Sequence, residues 1–187
     1  MGAGTWESHH AITGLMYRYT EAIDAGDFDG IGAIFAHAAL TAEGASGETR
    51  GADAIAEYYR SMNRVHPDGT LRTRHLTVNV ITDIDEAAGT ATARSGFVVL
   101  QQTPELPLQP IVSGRYRDRF ERVDGEWRFA QRHMVVDHVG DVREHLTFDI
   151  GGRVSGFGRQ LVEYESDEQY APEAPPYHLG IGSGFLM

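Results

Sequence analysis

The fold is decided by residues 111–139, which read IVSGRYRDRFERVDGEWRFAQRHMVVDHV. Polar and apolar side chains alternate along both halves of this stretch, and Asp124-Gly125 between them is a typical hairpin turn. The pattern predicts two antiparallel strands, at residues 111–123 and 126–139. In the first strand Tyr116 is expected to face inward, while the three arginines around it face water or a partner subunit. These arginines are Arg115, Arg117 and Arg119.

Two earlier segments have the same character. Residues 71–84 and 90–102 are rich in β-branched side chains that alternate with polar ones, which is typical of half-buried strands. Residues 85–89 supply a turn between them, and the proline-rich residues 103–110 supply a longer link to the next strand. Four strands joined by consecutive hairpins predict an antiparallel meander.

Three amphipathic helices are predicted before the strands. The first ends at Gly26, and Asp27 is a suitable N-cap for the second. A short strand and turn are expected within residues 41–51, ahead of the third helix. The apolar faces comprise Ile12, Leu15, Met16, Tyr19 and Ile23 in the first helix, Ile31, Ile34 and Phe35 in the second, and Ile55, Tyr58, Tyr59 and Met62 in the third. Helices followed by strands indicate an α+β domain whose helices cover one face of the sheet.

The composition narrows the classes of function. With 187 residues, 41% of them hydrophobic, the chain suits one domain at residues 1–146, followed by an extension at residues 147–187 that is expected to be disordered or to wrap the domain. A formal net charge of −11 disfavours binding to nucleic acid or anionic membranes. The lack of cysteine excludes disulfides and thiolate chemistry. Since no apolar stretch has the length of a membrane span, we expect a cytoplasmic protein.

Three residues are candidates for acid–base chemistry, and each also has a structural interpretation. By alternation His75 shares a polar strand face with Asn79, whereas Val80 faces the other side; His75 is either a solvent-facing side chain or a base that works near neutral pH. Asp24 opposes the dipole of the first helix, so it is either a solvated carboxylate or one held in place by a partner. Tyr19 is either a core aromatic or a hydrogen-bond donor to substrate.

Motifs for metals and nucleotide cofactors are missing from the sequence. The nine histidines include no His-Glu-x-x-His pattern and no closely spaced pair on a predicted strand face. A Gly-x-Gly-x-x-Gly turn, a phosphate-binding loop and a Gly-x-Ser-x-Gly elbow are also missing, which disfavours nucleotide cofactors and serine-hydrolase chemistry. We expect no cofactor and no catalytic metal.

Three stretches together resemble one known family. They are residues 19–29, YTEAIDAGDFD, residues 71–75, LRTRH, and residues 123–129, VDGEWRF. In order and spacing they resemble the SnoaL-like family of the nuclear transport factor 2-like superfamily, and within it the scytalone dehydratases and bile acid 7α-dehydratases. The resemblance covers residues 12–146. It implies a cone-shaped α+β barrel, in which three N-terminal helices close a curled antiparallel sheet around a deep pocket.

The resemblance also implies roles for single residues. His75 takes the position of the catalytic base, Asp24 that of the aspartate held beside it, and Tyr19 that of a site tyrosine in the bile acid enzymes. A further set is expected to contact the substrate, and it comprises Tyr58, Met62, Phe97, Gln101 and Tyr116.

The leading functional hypothesis is a cofactor-free lyase or isomerase of the dehydratase type. Its substrate is expected to be a hydrophobic, oxygenated small molecule such as a polyketide or a steroid-like compound, on which His75 acts as general base and acid while Asp24 orients the imidazole. Two alternatives stay open: a pathway cyclase or pericyclase that mainly shapes its substrate, and a small-molecule-binding module without catalysis. A homodimer or larger homo-oligomer is expected, because related folds pair through the outer face of the sheet.

Overall fold

The computed structural model describes residues 3–148, in which helices come first and the long strands follow. The helices are α1 (Ala3–Asp24), α2 (Phe28–Ile34) and α3 (Ala52–Met62). The strands are β1 (Ala39–Ala42), β2 (Thr49–Arg50), β3 (Thr73–Asp85), β4 (Thr90–Gln101), β5 (Gln109–Val123) and β6 (Glu126–Val139). The predicted α+β class, with helices ahead of a curled sheet, is confirmed.

Within the described chain the strands form one sheet with the order β2-β1-β6-β5-β4-β3. β3 to β6 make the predicted antiparallel meander, in which each strand pairs with the next one along the chain. β1 adds a pairing that the sequence did not predict, since it lies parallel to β6 and antiparallel to the short β2. Parallel pairing is sterically possible because α3 and three long strands separate β1 from β6 along the chain and provide the crossover.

The turn after α1 sets the position of that helix against the sheet. Gly26 has a φ of +70°, and a Cβ atom at this position would lie only 2.8 Å from the carbonyl oxygen of Gly69. Only glycine fits both the conformation and this close approach. Asp27 then caps α2 as predicted, because its carboxylate accepts a hydrogen bond of 2.9 Å from the backbone N–H of Gly30. The end of α1 is therefore fixed beside the start of β3.

The core lies between the helices and the inner face of the sheet. α1 packs on β3 and β6, and its buried side chains meet inward-facing aromatic residues of β4, β5 and β6. Tyr116 on β5 is only 2% exposed, whereas its arginine neighbours on the same strand are exposed. The predicted register of β5 is therefore confirmed.

The prediction for the second half of β3 was wrong, and a β-bulge is the reason. The β3–β4 register shifts between Val78 and Ile81, where Asn79 has a positive φ of 55°. An extra residue in one strand reverses the facing of all that follow. Asn79 is therefore exposed and does not share the inner face with His75, while Val80 packs against the core.

The extension predicted from residue 147 falls outside the described residues, apart from positions 147 and 148. No helix between residues 3 and 148 is both long enough and apolar enough to cross a membrane.

Candidate active site

The last residue of α1 and a residue near the start of β3 meet in a short, largely buried hydrogen bond. The Oδ1 atom of Asp24 lies 2.6 Å from Nδ1 of His75, and the two side chains are only 11% and 8% exposed. The sequence interpretation expected this contact, although 51 residues separate the two positions. The structural interpretation of the two residues, a solvent-facing histidine and a solvated carboxylate, disagrees with their low exposure.

Asp24 is held by three further hydrogen bonds. The backbone N–H of His75 lies 3.1 Å and 3.0 Å from the two carboxylate oxygens, and the hydroxyl of Thr73 donates to Oδ1 at 2.8 Å. Burial alone would raise the pKa of Asp24, but the hydrogen bonds and charge of His75, together with Thr73, hold that pKa below its ordinary value. These donors offset the unfavourable interaction of a carboxylate with the C-terminal end of a helix.

The carboxylate also determines which nitrogen of His75 is available. An ionised Asp24 only accepts hydrogen bonds, so Nδ1 of His75 carries a proton and donates it. Within residues 3–148 no hydrogen bond to the opposite nitrogen, Nε2, is found. A histidine whose tautomer is fixed in this way presents Nε2 as a base.

A second charged pair lies deeper in the domain. Arg132 of β6 donates from Nε and Nη2 to the carboxylate of Asp118 on β5, at 2.9 Å and 2.7 Å, and both side chains are almost fully buried. Burial alone would lower the pKa of Arg132, but the charge of Asp118 raises that pKa above its ordinary value. Burial raises the pKa of Asp118, and Arg132 opposes that shift. The short two-pronged contact indicates an ionised pair.

Aromatic rings surround the guanidinium group of Arg132. Its central carbon lies 4.0 Å from the ring centre of Tyr116 and 4.6 Å from that of Tyr19, with Phe129 and Phe35 at 5.0 Å and 5.3 Å. These distances are within the range of cation–π attraction. The remaining nitrogen, Nη1, is buried and has no hydrogen-bond partner among the described residues. It is a donor without an acceptor in the interior of the protein.

A cavity of about 180 Å³ opens next to this guanidinium group. It lies between β1, the segment after β1, α3 and β6, and its wall includes Leu40, Thr41, Tyr58, Tyr59, Arg132 and Met134. Asp24 and His75 are not part of the wall. The cavity and the Asp24–His75 pair are therefore two different places. The Asp24–His75 pair is the stronger indication of chemistry, because it holds an oriented imidazole that can transfer protons near neutral pH.

The predicted site residues divide between these two places. Tyr19 lies over Arg132 and accepts a hydrogen bond of 3.4 Å from the hydroxyl of Tyr59, and among the described residues no hydrogen bond joins Tyr19 to Asp24 or His75. Tyr58 lines the cavity. The other four predicted contact residues, among them Tyr116, lie apart from its wall. Phe97 stacks on Tyr116 at 4.5 Å, Gln101 is buried near the start of β3, and Met62 is half-buried at the end of α3.

Two residues of the site were missed by the sequence interpretation. Arg132 was missed because the β5–β6 register shifts next to Phe129, so that Phe129 and Arg132 both face inward although they are three residues apart. Alternation along β5 places Asp118 on the inner face of the sheet. Because a buried carboxylate needs a charged or hydrogen-bonding partner, this position could have indicated a buried cation. His145, whose ring centre lies 6.0 Å from that of His75, was missed because it follows β6 in an irregular segment, for which periodicity makes no prediction.

The described residues contain no group of three or more His, Cys, Asp or Glu side chains that could hold a metal ion.

Comparison with known proteins places the chain in a family. A model of the SnoaL-like domain matches residues 4–133. A solved structure of a protein of unknown function from Mycobacterium tuberculosis is 30% identical, over 72% of this chain and 79% of its own, with a TM-score of 0.59. No curated protein matches the sequence. The chain belongs to the SnoaL-like domain family, as the three sequence stretches indicated.

More distant structures share the fold. A protein from Novosphingobium aromaticivorans that is assigned as a scytalone dehydratase is 22% identical, over 75% of this chain and 91% of its own, with a TM-score of 0.60. ActVI-ORFA from Streptomyces coelicolor is 18% identical, over 71% of this chain and 99% of its own, with a TM-score of 0.58. At these identities the likeness establishes the fold and leaves the reaction to the chemistry of the site.

Proposed function

We propose that the protein is a cofactor-free lyase or isomerase that removes a proton from carbon next to a carbonyl group. The observation that carries this proposal is the 2.6 Å contact between Asp24 and Nδ1 of His75, in a pair of side chains that are nearly buried. An imidazole fixed in this way is the side chain best suited to proton transfer near neutral pH. The dehydratase assignment of one matched structure agrees with this chemistry.

In the reaction, Nε2 of His75 takes the proton from the α-carbon, and the electron pair of that C–H bond moves toward the carbonyl to form an enolate. Asp24 stabilises the imidazolium ion that forms. When the β-carbon carries a hydroxyl group, the enolate re-forms the carbonyl, the C–O bond breaks, and the proton on His75 leaves with the hydroxyl as water. When it carries none, His75 returns the proton to another carbon and the product is an isomer.

The groups that can bind oxygen lie at the separate cavity beside Arg132. Arg132 and Tyr58 line this cavity of about 180 Å³, and Nη1 of Arg132 is buried without a hydrogen-bond partner among the described residues. Burial raises the pKa of Tyr59 well above 10, so its phenol remains a neutral hydrogen-bond donor at physiological pH. Since typical ligand pockets hold about 300 Å³ or more, we expect a ring substrate to displace the half-buried Tyr58 on entry.

One observation favours a second candidate function. The wall of the cavity includes Arg132 but neither Asp24 nor His75. A protein that only binds an oxygenated ligand, or holds it in one conformation, needs Arg132 but does not need the Asp24–His75 pair. A binding module or a pathway cyclase that shapes its substrate is therefore the alternative proposal.

The experiment that separates these proposals uses a panel of cyclic β-hydroxy ketones and measures loss of water and exchange of the α-proton with D₂O. His75→Ala is compared with His10→Ala, which removes an exposed histidine of α1 outside the site. Catalysis by His75 predicts a loss of about 10²–10⁴-fold in the first variant and wild-type rates in the second. Full activity in a folded His75→Ala protein would contradict the acid–base proposal and favour the alternative.

A further inference from the structure

The segment after β6 folds back toward the start of β3. We call residues 141–147 the closing turn. The backbone N–H of His145 donates to the carbonyl of Val142 at 2.9 Å, and its own carbonyl accepts from the N–H of Arg64 at 2.8 Å. Thr147 donates to the carbonyl of Met62 at 3.0 Å. The backbone at His145 and just after it is thus tied to the end of α3 and the residues that follow that helix.

The side chain of His145 lies beside the proposed base. The ring centres of His145 and His75 are 6.0 Å apart, and His145 is only 6% exposed. Its Nδ1 atom is buried and has no hydrogen-bond partner within residues 3–148. Burial, reinforced by the charge of His75, lowers the pKa of His145 to about 3. The ring is therefore neutral at physiological pH and can donate one hydrogen bond without carrying charge.

Gln101 supplies a second unpartnered atom in the same region. Its Nε2 donates to the carbonyls of Leu71 and Glu144, at 3.1 Å and 3.0 Å, so that one end of the amide is fixed as the donor. The other end, Oε1, is buried and has no partner among the described residues. Glu144 directly precedes His145, and Gln101 pairs across the sheet with Thr73, the residue that binds Asp24. The amide therefore links the closing turn to Leu71, just before β3.

Two buried polar atoms without protein partners mark a place for a bound polar group. Native structures satisfy nearly all such atoms with protein groups or with ordered water, which a polar ligand group can replace. Oε1 of Gln101 can only accept a hydrogen bond, and Nδ1 of a neutral His145 can donate one. A hydroxyl group is complementary to both, because its O–H donates and its oxygen accepts.

We propose that His145 and Gln101 form a subsite for a substrate hydroxyl group beside the Asp24–His75 pair. The inference rests on the proposed function, and it selects dehydration of a β-hydroxy carbonyl compound over isomerisation. In that step the C–O bond at the β-carbon breaks as the enolate collapses, the departing oxygen takes the proton that His75 removed from the α-carbon, and water is released. His145 donates its N–H to the departing oxygen without itself changing charge, and Gln101 holds the hydroxyl in place beforehand.

The test compares β-hydroxy ketones with their deoxy counterparts, and 3-hydroxy-1-indanone with 1-indanone is the smallest pair of the panel. Loss of water from the first compound and α-proton exchange of the second are measured on one set of variants. His145→Phe should lower the rate of water loss by about 10²-fold, the usual effect of losing one such donor, and leave exchange of the deoxy ketone close to wild type. His145→Gln, which keeps a donor, should recover part of the loss.

A matched control removes a different anchor of the closing turn. His66→Ala removes the contact of the His66 ring with the Glu144 carbonyl, which is 3.0 Å in the wild type. It should leave both reactions unchanged. An equal loss of both reactions in His145→Phe, or the same loss in His66→Ala, would overturn the subsite and make His145 a structural residue. Should His145→Phe fail to fold, a partial loss of water release in His145→Gln, with wild-type α-proton exchange of the deoxy ketone, supports the subsite. Wild-type water release, or an equal loss of both reactions, overturns it.

The two proposals fail in different ways. If the wild-type protein exchanges the α-proton and this exchange depends on His75, but water loss is insensitive to His145, only the subsite is wrong. If the wild type neither exchanges protons nor releases water from any member of the panel, the proposed function itself is wrong.

Discussion

Protonation of His145 should make this protein less stable in acid. The pKa of His145 is about 3 in the folded chain, against an ordinary value of 6.5. Between these values the unfolded chain binds a proton that the folded chain does not. Protonation therefore favours unfolding, and the free energy of unfolding falls as the pH drops from 6.5 toward 3. Each pH unit in this window removes up to about 1.4 kcal/mol.

The assay is urea denaturation at several pH values between 7 and 4.5, in which range roughly 2–3 kcal/mol is expected to be lost through His145. Asp24 does not interfere, because its pKa is lowered from 3.8 and its stabilising effect is lost only as the pH falls through that region. His145→Gln should flatten the pH dependence, and His10→Gln should leave it as in the wild type. His75 and His66 also lie near His145, so the series is repeated in a His75→Gln background. Equal slopes in wild type and His145→Gln would refute the reasoning.

The remaining predictions concern the Asp24–His75 pair, the Asp118–Arg132 ion pair, the turn after α1 and the oligomeric state. Asp24→Asn should reduce turnover less than His75→Ala does, because its carboxylate orients the base and transfers no proton itself; equal losses in kcat would contradict this. Asp118→Asn leaves the charge of Arg132 buried and uncompensated, and urea denaturation should show a loss of about 3–5 kcal/mol. Gly26→Ala should lower the melting temperature, since its φ of +70° and the 2.8 Å approach of Gly69 exclude a side chain. Light scattering should show a homodimer or a larger homo-oligomer, paired through the outer face of the sheet; a monomer at micromolar concentration would refute this proposal.

The regular elements of the fold could be predicted because they depend on local patterns. The Asp124-Gly125 turn fixes the β5–β6 hairpin, and predicted bounds for β6 agree with the structure at both ends. Gly26 and Asp27 mark the boundary between α1 and α2 in the same local way. Alternation then placed Tyr116 inward, because β5 is regular around it.

The rest depends on contacts between distant parts of the chain. Bulges near Asn79 and after Phe129 insert one residue each, which reverses the facing of Val80 and Arg132 without a recognisable signal in the sequence. The contact of Asp24 with His75 could be predicted only from the family resemblance, because helix periodicity shows only that Asp24 lies at a helix end. His145 is placed by backbone bonds to residues about 80 positions earlier, such as Arg64, and no local pattern encodes such a contact.

The parallel pairing of β1 with β6 has a consequence for how the chain folds. Thr41 on β1 lies next to Arg132 on β6, although 91 residues separate them along the chain. Contacts of such long range form slowly, because the intervening chain loses conformational entropy before the contact gives any stabilisation. During synthesis β1 emerges from the ribosome early and must wait for the last strand before it can join the sheet. The three hairpins from β3 to β6 can form first, and their completed edge at β6 then serves as the template on which β1 docks.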